Sequence, residues 1–343
     1  MPAVRLSPAR DHGPLGVLLF NLGGPDDLAS VEPFLRNLFS DREIIELPFG
    51  PRAQPFLARL IAKLRAPAAR RNYASIGGGS PQLRLTREQA AALAARLRRA
   101  GRSVEVAIAM RYWQPDTEAA LAELERAGVR RIVTLPLYPH YSTATTGSSR
   151  RELERVLARP RWQGRFEVSG IDAWPEEPLY LDALADTVRR GLEGFPLHRR
   201  EHVVILFSAH GLPQRFIERG DPYVAHTEAT RRGVLVRLGV PNRQELGFQS
   251  RTGPVRWIGP GTGTVLRRLG REGVGEVLVV PISFVCDHIE TLYELDQLFA
   301  GEARRAGIVD YRRSDALNRH PLFIEALGQL VERHLRERGG AAA

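Results

Sequence analysis

Cysteine is almost missing from this chain, which has a single thiol, Cys286, in 343 residues. One cysteine excludes an internal disulfide framework, and it leaves too few thiolates for a cysteine-ligated iron–sulfur cluster or a structural zinc site. The sequence also lacks an apolar run long enough to span a bilayer, and its first sixteen residues contain no apolar signal core. These absences predict a cytoplasmic protein.

The chain has no recognised nucleic-acid-binding motif and no basic run interleaved with aromatic residues. Its formal net charge is +10, but the arginines that carry most of it are scattered along the sequence. A basic surface can attract nucleic acid, an anionic membrane face or an acidic small molecule. The scattered pattern argues against nucleic acid and leaves the other two partners open.

Short apolar runs alternate with helical patterns and with glycine or proline turns, which is typical of an α/β fold. The predicted strands are residues 17–20, 104–109, 132–135, 203–207 and 277–280. The hydrophobic fraction of 43% over 343 residues favours two domains over one.

The two halves of the sequence resemble each other. A strand, Arg111, a helix, a strand and Pro136 are echoed by a strand, Arg251, a helix, a strand and Pro281. The segment that begins at Phe20 is likewise echoed by the one that begins at Phe207. An internal duplication of this kind predicts two similar lobes that direct the carboxyl ends of their strands towards a shared cleft.

Two segments of the first half carry helix signals. Thr86, with a glutamine three residues later, predicts a capping box at the start of a helix, and Asp116 or Thr117 predicts the cap of the next helix. Phe56, Leu57, Leu60, Ile61 and Leu64 form an apolar stripe at helical spacing. This stripe is either a core-facing side of a helix or an amphipathic lip over an apolar ligand or a membrane.

A row of carboxylates follows the last buried strand. On an α-helix, Asp287, Glu290 and Glu294 would lie on one face, with His288 beside them. The carboxyl end of a buried strand is where α/β sheets form their ligand crevice. The row is therefore a candidate cation site, although a solvated helix face would show the same pattern.

His210 directly follows another buried strand of the same half. An imidazole and carboxylates that face one cleft suit proton transfer near neutral pH or transient binding of a borderline divalent metal. A structural histidine is the simpler alternative. Ser208, two residues earlier, is predicted to point the same way as His210 and completes no catalytic triad.

Eight motifs occur in an order that resembles the ferrochelatase family. They are Leu19–Pro25, Ile76–Pro81, Met110–Tyr112, Tyr141–Ser148, Ser208–Pro213, Arg219–Tyr223, Phe248–Arg251 and Asp287–Leu292. The resemblance covers roughly residues 17–330, and it implies two Rossmann-like lobes with four-stranded parallel sheets. It implies that residues 1–170 and 318–343 form the first lobe and that residues 171–317 form the second. The C-terminal helix would pack back on the first lobe.

The resemblance also implies a function, insertion of Fe²⁺ into protoporphyrin IX in the last step of haem synthesis. His210 and Glu290 would be the catalytic and metal-binding pair, and His288 and Glu294 would support them on a helix with a π-bulge. Substrate-binding roles are expected for the following residues of the two lobes: Leu22, Arg111, Tyr112 and Ser208. The segment Phe49–Leu64 would form the lip of the porphyrin cleft.

The chain departs from the family pattern at Ala74 and Ser75, where some relatives have two arginines, so propionate recognition there is open. The resemblance implies no organic cofactor and no iron–sulfur cluster. It leaves open a monomer or a homodimer and a peripheral contact with the inner membrane face. Coproporphyrin III as substrate, another metal such as cobalt or nickel, and a non-catalytic porphyrin or haem carrier are the alternatives.

Overall fold

The computed structural model describes residues 13–45, 50–253 and 255–340. Two four-stranded sheets, all parallel, follow each other along the chain. The first has the order β2-β1-β3-β4 and the second the order β6-β5-β7-β8. The strands are β1 (Leu15–Asn21), β2 (Val104–Met110), β3 (Arg131–Pro136), β4 (Glu167–Gly170), β5 (Val204–His210), β6 (Gln244–Gln249), β7 (Glu276–Pro281) and β8 (Asp310–Arg313). The repeated strand order confirms the predicted α/β class and the internal duplication.

Helices flank both sheets. They are α1 (Val31–Ser40), α2 (Gly50–Ala74), α3 (Gln82–Arg99), α4 (Thr117–Arg126), α5 (Ser148–Leu157), α6 (Pro178–Glu193), α7 (Gln214–Glu218), α8 (Tyr223–Leu238), α9 (Thr262–Arg271), α10 (Ala300–Arg305) and α11 (Pro321–Gly340). π-Helical segments at Thr143–Gly147 and Glu290–Phe299 lead into α5 and α10, and a 3₁₀ turn at Leu197–His202 precedes β5. The second π-helical segment is the distortion that the family resemblance implied.

The register of the sheets defines which residues of the two halves are equivalent. Phe20 lies opposite Pro136 in the first sheet, and Ser208 lies opposite Pro281 in the second. Phe20 is therefore equivalent to Ser208 and not to Phe207, so the match expected from the sequence was wrong by one residue. With this correction the loops that follow β1 and β5 align without a gap.

The same register places Leu22 of the first lobe at the position of His210 in the second. The partner strands, β2 and β6, then put Arg111 at the position of Gln249. The predicted equivalence of Arg111 and Arg251 is therefore wrong. The sequence suggested this equivalence because an arginine follows both β2 and β6. The pairing of the strands instead aligns Arg111 with a residue two positions before Arg251.

The largest hydrophobic core joins the inner faces of the two sheets. Val17 and Leu19 of β1 belong to it, as do Ile205 and Phe207 of β5. Helix α11 packs against both α3 and α6, which come from different halves of the chain. The lobes therefore share buried surface, and the boundary at residues 170 and 171, with the return at 318, stays a prediction.

Helix α3 begins one turn earlier than the capping box predicted. Thr86 is fully buried inside the helix, where its Oγ1 donates to the carbonyl oxygen of Gln82 (2.7 Å) and accepts from Nδ2 of Asn21 (3.0 Å). The predicted box is wrong because its threonine bonds back along the helix instead of capping it. The cap at Asp116 is confirmed, since its side chain accepts from the backbone N–H of Ala119.

Three residues of the apolar stripe of α2 face outwards, while Leu57 and Ile61 are half-buried. Phe56 is 70% exposed, Leu60 46% and Leu64 71%, while the buried side of the helix consists mainly of alanines. A core-facing role is therefore wrong for these three residues. Within the described residues, no helix is long and apolar enough to cross a membrane. Phe49, the first residue of the predicted lip, lies outside the described residues.

Candidate active site

The two residues expected to be catalytic are in direct contact. His210 is the last residue of β5, and Glu290 opens the π-helical segment after β7, the strand beside it. The Nδ1 atom of His210 lies 2.7 Å from Oε2 of Glu290, and the backbone N–H of His210 donates to Oγ of Ser283. The His210 side chain is 37% exposed and that of Glu290 16%, so the imidazole reaches the surface of the cleft while the carboxylate lies behind it.

Each member of this pair changes the pKa of the other. Burial opposes a charge on His210, but the charge of Glu290, the hydrogen bond to it and the charge of Glu294 outweigh burial and raise the pKa of His210. Burial would likewise raise the pKa of Glu290, yet the charge and hydrogen bond of His210, with smaller contributions from His288 and Ser250, lower it. The pair therefore favours imidazolium and carboxylate near neutral pH.

A second carboxylate lies next to the pair. The hydroxyl of Ser250 is 2.9 Å from Oε2 of Glu290 and 2.8 Å from Oε2 of Glu294. Burial, followed by the charge of Glu290, raises the pKa of Glu294 to about 7. Near neutral pH this part of the site can therefore take up or release one proton.

Gln249, at the end of β6, donates to both glutamates of the site. Its Nε2 donates to the backbone oxygen of Glu290 (2.9 Å) and to Oε2 of Glu294 (3.2 Å). Its Oε1 accepts from the hydroxyl of Ser208 (2.7 Å), which also bonds with Oγ1 of Thr262 (2.8 Å). Ser208 is fully buried and meets the carboxylates only through Gln249. Its contact with substrate stays a prediction.

His288 is almost buried beside Glu290. Its Nδ1 lies 3.0 Å from the carbonyl oxygen of Cys286, a contact that requires the hydrogen on Nδ1. Burial lowers the pKa of His288, so the ring stays neutral and its lone pair is on Nε2. That nitrogen lies 3.9 Å from Oε1 of Glu290. An imidazole lone pair and a carboxylate oxygen at this separation can both serve a borderline cation.

Asp287 does not join the carboxylate row. Its side chain accepts from Nδ2 of Asn318 (2.8 Å), from Oγ1 of Thr291 (3.0 Å) and from Nη1 of Arg313 (3.2 Å). The prediction of three carboxylates on one helical face is therefore wrong. Asp287 precedes the π-helical segment, so the α-helical spacing on which the prediction relied does not apply.

Arg111 and Tyr112 of the first lobe converge on one buried carboxylate. Oδ2 of Asp41 accepts from Nη2 of Arg111 (2.8 Å), the hydroxyl of Tyr112 (2.6 Å) and the hydroxyl of Ser148 (2.8 Å). Burial, and then the charge of Asp41, raises the pKa of Tyr112, which stays neutral. A cavity of about 370 Å³ adjoins Asp41, Arg111 and Ser148. Leu22 is half-buried beside the outer core of this lobe.

The first lobe also reaches the carboxylates of the second. Burial, with the charge of Glu290, raises the pKa of Tyr73 near the end of α2. Just after α2, the carbonyl oxygen of Ser75 accepts a hydrogen bond from Nε2 of Gln297 in the π-helical segment (3.2 Å). The candidate site therefore lies where the two lobes meet.

A family model described as Ferrochelatase matches residues 14–335. Over 317 residues the chain is 51% identical to the ferrochelatase of Geotalea daltonii, and the matched segment covers 92% of this chain and 96% of that protein. The chain belongs to the ferrochelatase family. The ferrochelatase of Synechocystis sp. (strain PCC 6803) is 49% identical over 320 residues, with coverage of 93% and 82%. The protein is therefore an enzyme of haem synthesis, and ferrous iron and a porphyrin are the substrates of its family.

Solved structures of other proteins share the fold at low sequence identity. SirB from Bacillus subtilis with Fe³⁺ gives a TM-score of 0.54 at 13% identity, covering 95% of this chain and 98% of that one. DR2241 from Deinococcus radiodurans, a multi-domain protein with structural similarity to chelatases, gives 0.51 at 16% identity, covering 92% and 54%. These likenesses support the chelatase-like architecture of two lobes.

Within the described residues, no three His, Cys, Asp or Glu side chains converge as a ready-made metal site. The contacts also reveal three residues to which sequence reasoning gave no role: Gln249, Ser250 and Asp41. The first two belong to a motif that supported the family resemblance, so a signal for them existed. Asp41 lies in the turn after α1, and its role follows only from the three donors that surround it.

Proposed function

We propose that this enzyme removes the pyrrole protons of a porphyrin and delivers Fe²⁺ to it at the His210–Glu290 pair. The observation that carries the proposal is the 2.7 Å contact between a part-exposed imidazole and a more buried carboxylate at the carboxyl edge of the second sheet. The exposed ring can meet the substrate, while the carboxylate behind it can meet the metal. No organic cofactor is required for this exchange of two protons for one dication.

The arrival of iron would convert His210 into a base. While Glu290 is free, its charge raises the pKa of His210 and keeps a proton on the imidazole. An Fe²⁺ ion bound to Glu290 would offset that charge, so the imidazole would release its proton to solvent and could then accept the two pyrrole N–H protons in turn, passing the first on to solvent before it takes the second. Metal delivery and deprotonation would thereby be coupled through one carboxylate.

Neighbouring groups complete this proposal. His288 would offer its Nε2 lone pair to the entering cation beside Glu290, and Glu294, with its pKa raised to about 7, would receive a proton. Leu22, Arg111 and Tyr112 would contact the porphyrin from the first lobe. Ser208 would belong to the substrate site through Gln249.

The preferred porphyrin is protoporphyrin IX in this proposal. It rests on the loop Asn21–Pro25, whose form resembles that of enzymes acting on protoporphyrin rather than on coproporphyrin III. Ala74 and Ser75 provide no arginine for a propionate, so other cationic residues would have to meet the substrate carboxylates. Parallel assays with the two porphyrins test this choice, and a preference for coproporphyrin III would contradict it.

The central test replaces each member of the pair. We expect His210→Ala and Glu290→Gln to abolish anaerobic formation of haem from Fe²⁺ and porphyrin, while fluorescence titration shows that porphyrin still binds. The exposed His198→Ala and Glu201→Gln serve as matched controls and should retain wild-type turnover. Wild-type turnover in both pair variants would refute the assigned roles. Assays with Co²⁺ and Ni²⁺ test the alternative metals.

We further propose a peripheral membrane contact through the outer face of α2. Phe56, Leu60 and Leu64 are exposed there, and Arg59 and Lys63 lie among them, which suits the interface of an anionic bilayer. Flotation with phosphatidylglycerol-containing vesicles should recover the wild type and lose the variant in which the three apolar residues are serine. Val309→Ser removes an equally exposed apolar side chain elsewhere and should still float. Equal recovery of the wild type and the triple variant would contradict the contact.

The remaining expectations concern location and composition. We also propose a cytoplasmic location, at the inner membrane face. We expect no iron–sulfur cluster, and iron and acid-labile sulfide analysis of the purified protein tests that expectation. Light scattering after size exclusion distinguishes the monomer from the homodimer.

A further inference from the structure

Two residues other than glycine have a positive φ within the described ranges: Ser250 at 60° and Asn318 at 43°. This left-handed conformation is unfavourable for a residue with a side chain, and asparagine tolerates it better than serine does. Such conformations persist where the surrounding structure requires them, and they occur often at functional sites. Ser250, which directly follows β6, is therefore the less expected of the two.

The unusual backbone brings the hydroxyl of Ser250 between two carboxylates. Its Oγ lies 2.9 Å from Oε2 of Glu290 and 2.8 Å from Oε2 of Glu294. Two buried carboxylates repel each other, and the single hydrogen of the hydroxyl between them can be donated to either one, while the hydroxyl oxygen can accept from the other when that carboxyl is protonated. Gln249, the preceding residue, donates to the Glu290 backbone and to Glu294 from the same strand end. The residues that end β6 thus hold both carboxylates.

We propose that Ser250 is a positioning residue for metal delivery, because its hydroxyl keeps the carboxylates of Glu290 and Glu294 together as adjacent oxygen ligands for a divalent cation. This inference rests on the proposed role of Glu290. In this proposal Ser250 contacts neither the porphyrin nor the reacting nitrogen atoms. The role of its hydroxyl explains why the backbone of Ser250 keeps a positive φ. Loss of the hydroxyl should therefore weaken metal capture more than porphyrin binding.

A purely local explanation makes a different prediction. If the backbone turn after β6 were all that mattered, glycine would replace Ser250 without loss, since glycine adopts a positive φ freely. Alanine would then be the harmful substitution, because it keeps the steric cost of a Cβ atom. If the hydroxyl matters, Ser250→Gly and Ser250→Ala should be impaired in the same way.

The experiment compares these two variants with the wild type and with Ser103→Ala, an exposed serine that serves as the control. Three quantities are measured: the KM for Fe²⁺, the KM for porphyrin, and the dissociation constant for Zn²⁺ without porphyrin by calorimetry. Zn²⁺ is a suitable probe because it has no redox chemistry and accepts the same ligands. Since hydrogen bonds to charged groups are the stronger ones, both Ser250 variants should raise the KM for Fe²⁺ and weaken Zn²⁺ binding by ~10-fold or more. The KM for porphyrin should stay at the wild-type value.

Three results would overturn the inference: wild-type metal constants in both variants, a defect in Ser250→Ala alone, or equal losses of metal and porphyrin binding. A wild-type enzyme that forms no haem would instead refute the proposed function. The Zn²⁺ titration would still decide whether Ser250 holds a metal-binding pair.

Discussion

Gln89 links the first lobe to the segment that leads to Glu290. It lies on α3 and is fully buried, and its Nε2 donates to the carbonyl oxygens of Val285 (3.0 Å) and Asn318 (2.8 Å). Asn318 in turn accepts from the backbone N–H of Asp287 (2.9 Å). The change Gln89→Met keeps an unbranched side chain of similar length but removes both donors.

The expected loss of stability follows from the two carbonyl groups. The Val285 carbonyl keeps a second donor, the backbone N–H of Asn318 (3.0 Å), so the Asn318 carbonyl is the acceptor that loses its donor. A buried acceptor left without its donor costs ~1–3 kcal/mol, which is the loss we expect in the free energy of unfolding. For a large domain, each kcal/mol lowers Tm by ~2–4 °C, which sets a decrease of at least ~2 °C. The KM for Fe²⁺ should also rise, because the segment from Val285 to Asp287 precedes the carboxylate pair.

Thermal unfolding followed by circular dichroism measures the first effect and steady-state kinetics the second. Gln163→Met, at an exposed position, is the matched control and should melt with the wild type. If Gln89→Met also melts with the wild type, the two hydrogen bonds do not carry the stability assigned to them. If Gln89→Met is less stable but keeps the wild-type KM for Fe²⁺, the Gln89 hydrogen bonds do not position the proposed metal site.

Two further predictions concern charge. The pKa of His210 is raised above 6.5 and that of Glu290 is lowered below 4.5 in the folded protein. Their ion pair therefore stabilises the fold fully between pH 4.5 and 6.5. This stabilisation decreases above the interval as His210 loses its proton and below it as Glu290 gains one. The stability difference between the wild type and Glu290→Gln should therefore be largest between pH 4.5 and 6.5, and a pH-independent difference in denaturant titrations would contradict this. Asp41→Asn leaves the Arg111 charge without its buried partner, so we expect a loss of ~3–5 kcal/mol and a higher KM for porphyrin. Tyr112→Phe, which removes one hydrogen bond of the same cluster, should cost ~1 kcal/mol. Asp41→Asn with the stability of Tyr112→Phe would contradict the charge argument.

The apolar strands could be predicted from the sequence, including β2 at one edge of the first sheet, whereas the edge strands β4, β6 and β8 could not. The buried strands β1, β2, β3, β5 and β7 are short apolar runs, and the structure confirms each of them. The edge strands β4 and β8 have four residues each, are only partly buried or exposed, and read Glu167–Gly170 and Asp310–Arg313. They lack an apolar run because an edge strand of this length buries little surface.

The family also followed from the sequence, since the motifs that carry the resemblance are local. The same resemblance paired His210 with Glu290, whose side chains are in contact in the structure. Helical spacing misplaced Asp287, because the segment from Glu290 is π-helical and Asp287 is held by Arg313 and Asn318. Spacing along one segment could not reveal partners that lie on other strands and helices.

The sequence by itself determined the α/β class, the duplication, the family and the residue types at the ends of β5 and β7. Those properties depend on local patterns of burial and on motifs within one stretch of chain. Only the tertiary structure decided that Ser250 joins Glu290 to Glu294, that Asp41 binds Arg111 and Tyr112, and that Phe56, Leu60 and Leu64 of α2 face outwards. The physical reason is that these features arise from the register of parallel strands and the packing of one lobe on the other, which bring together residues far apart in the chain.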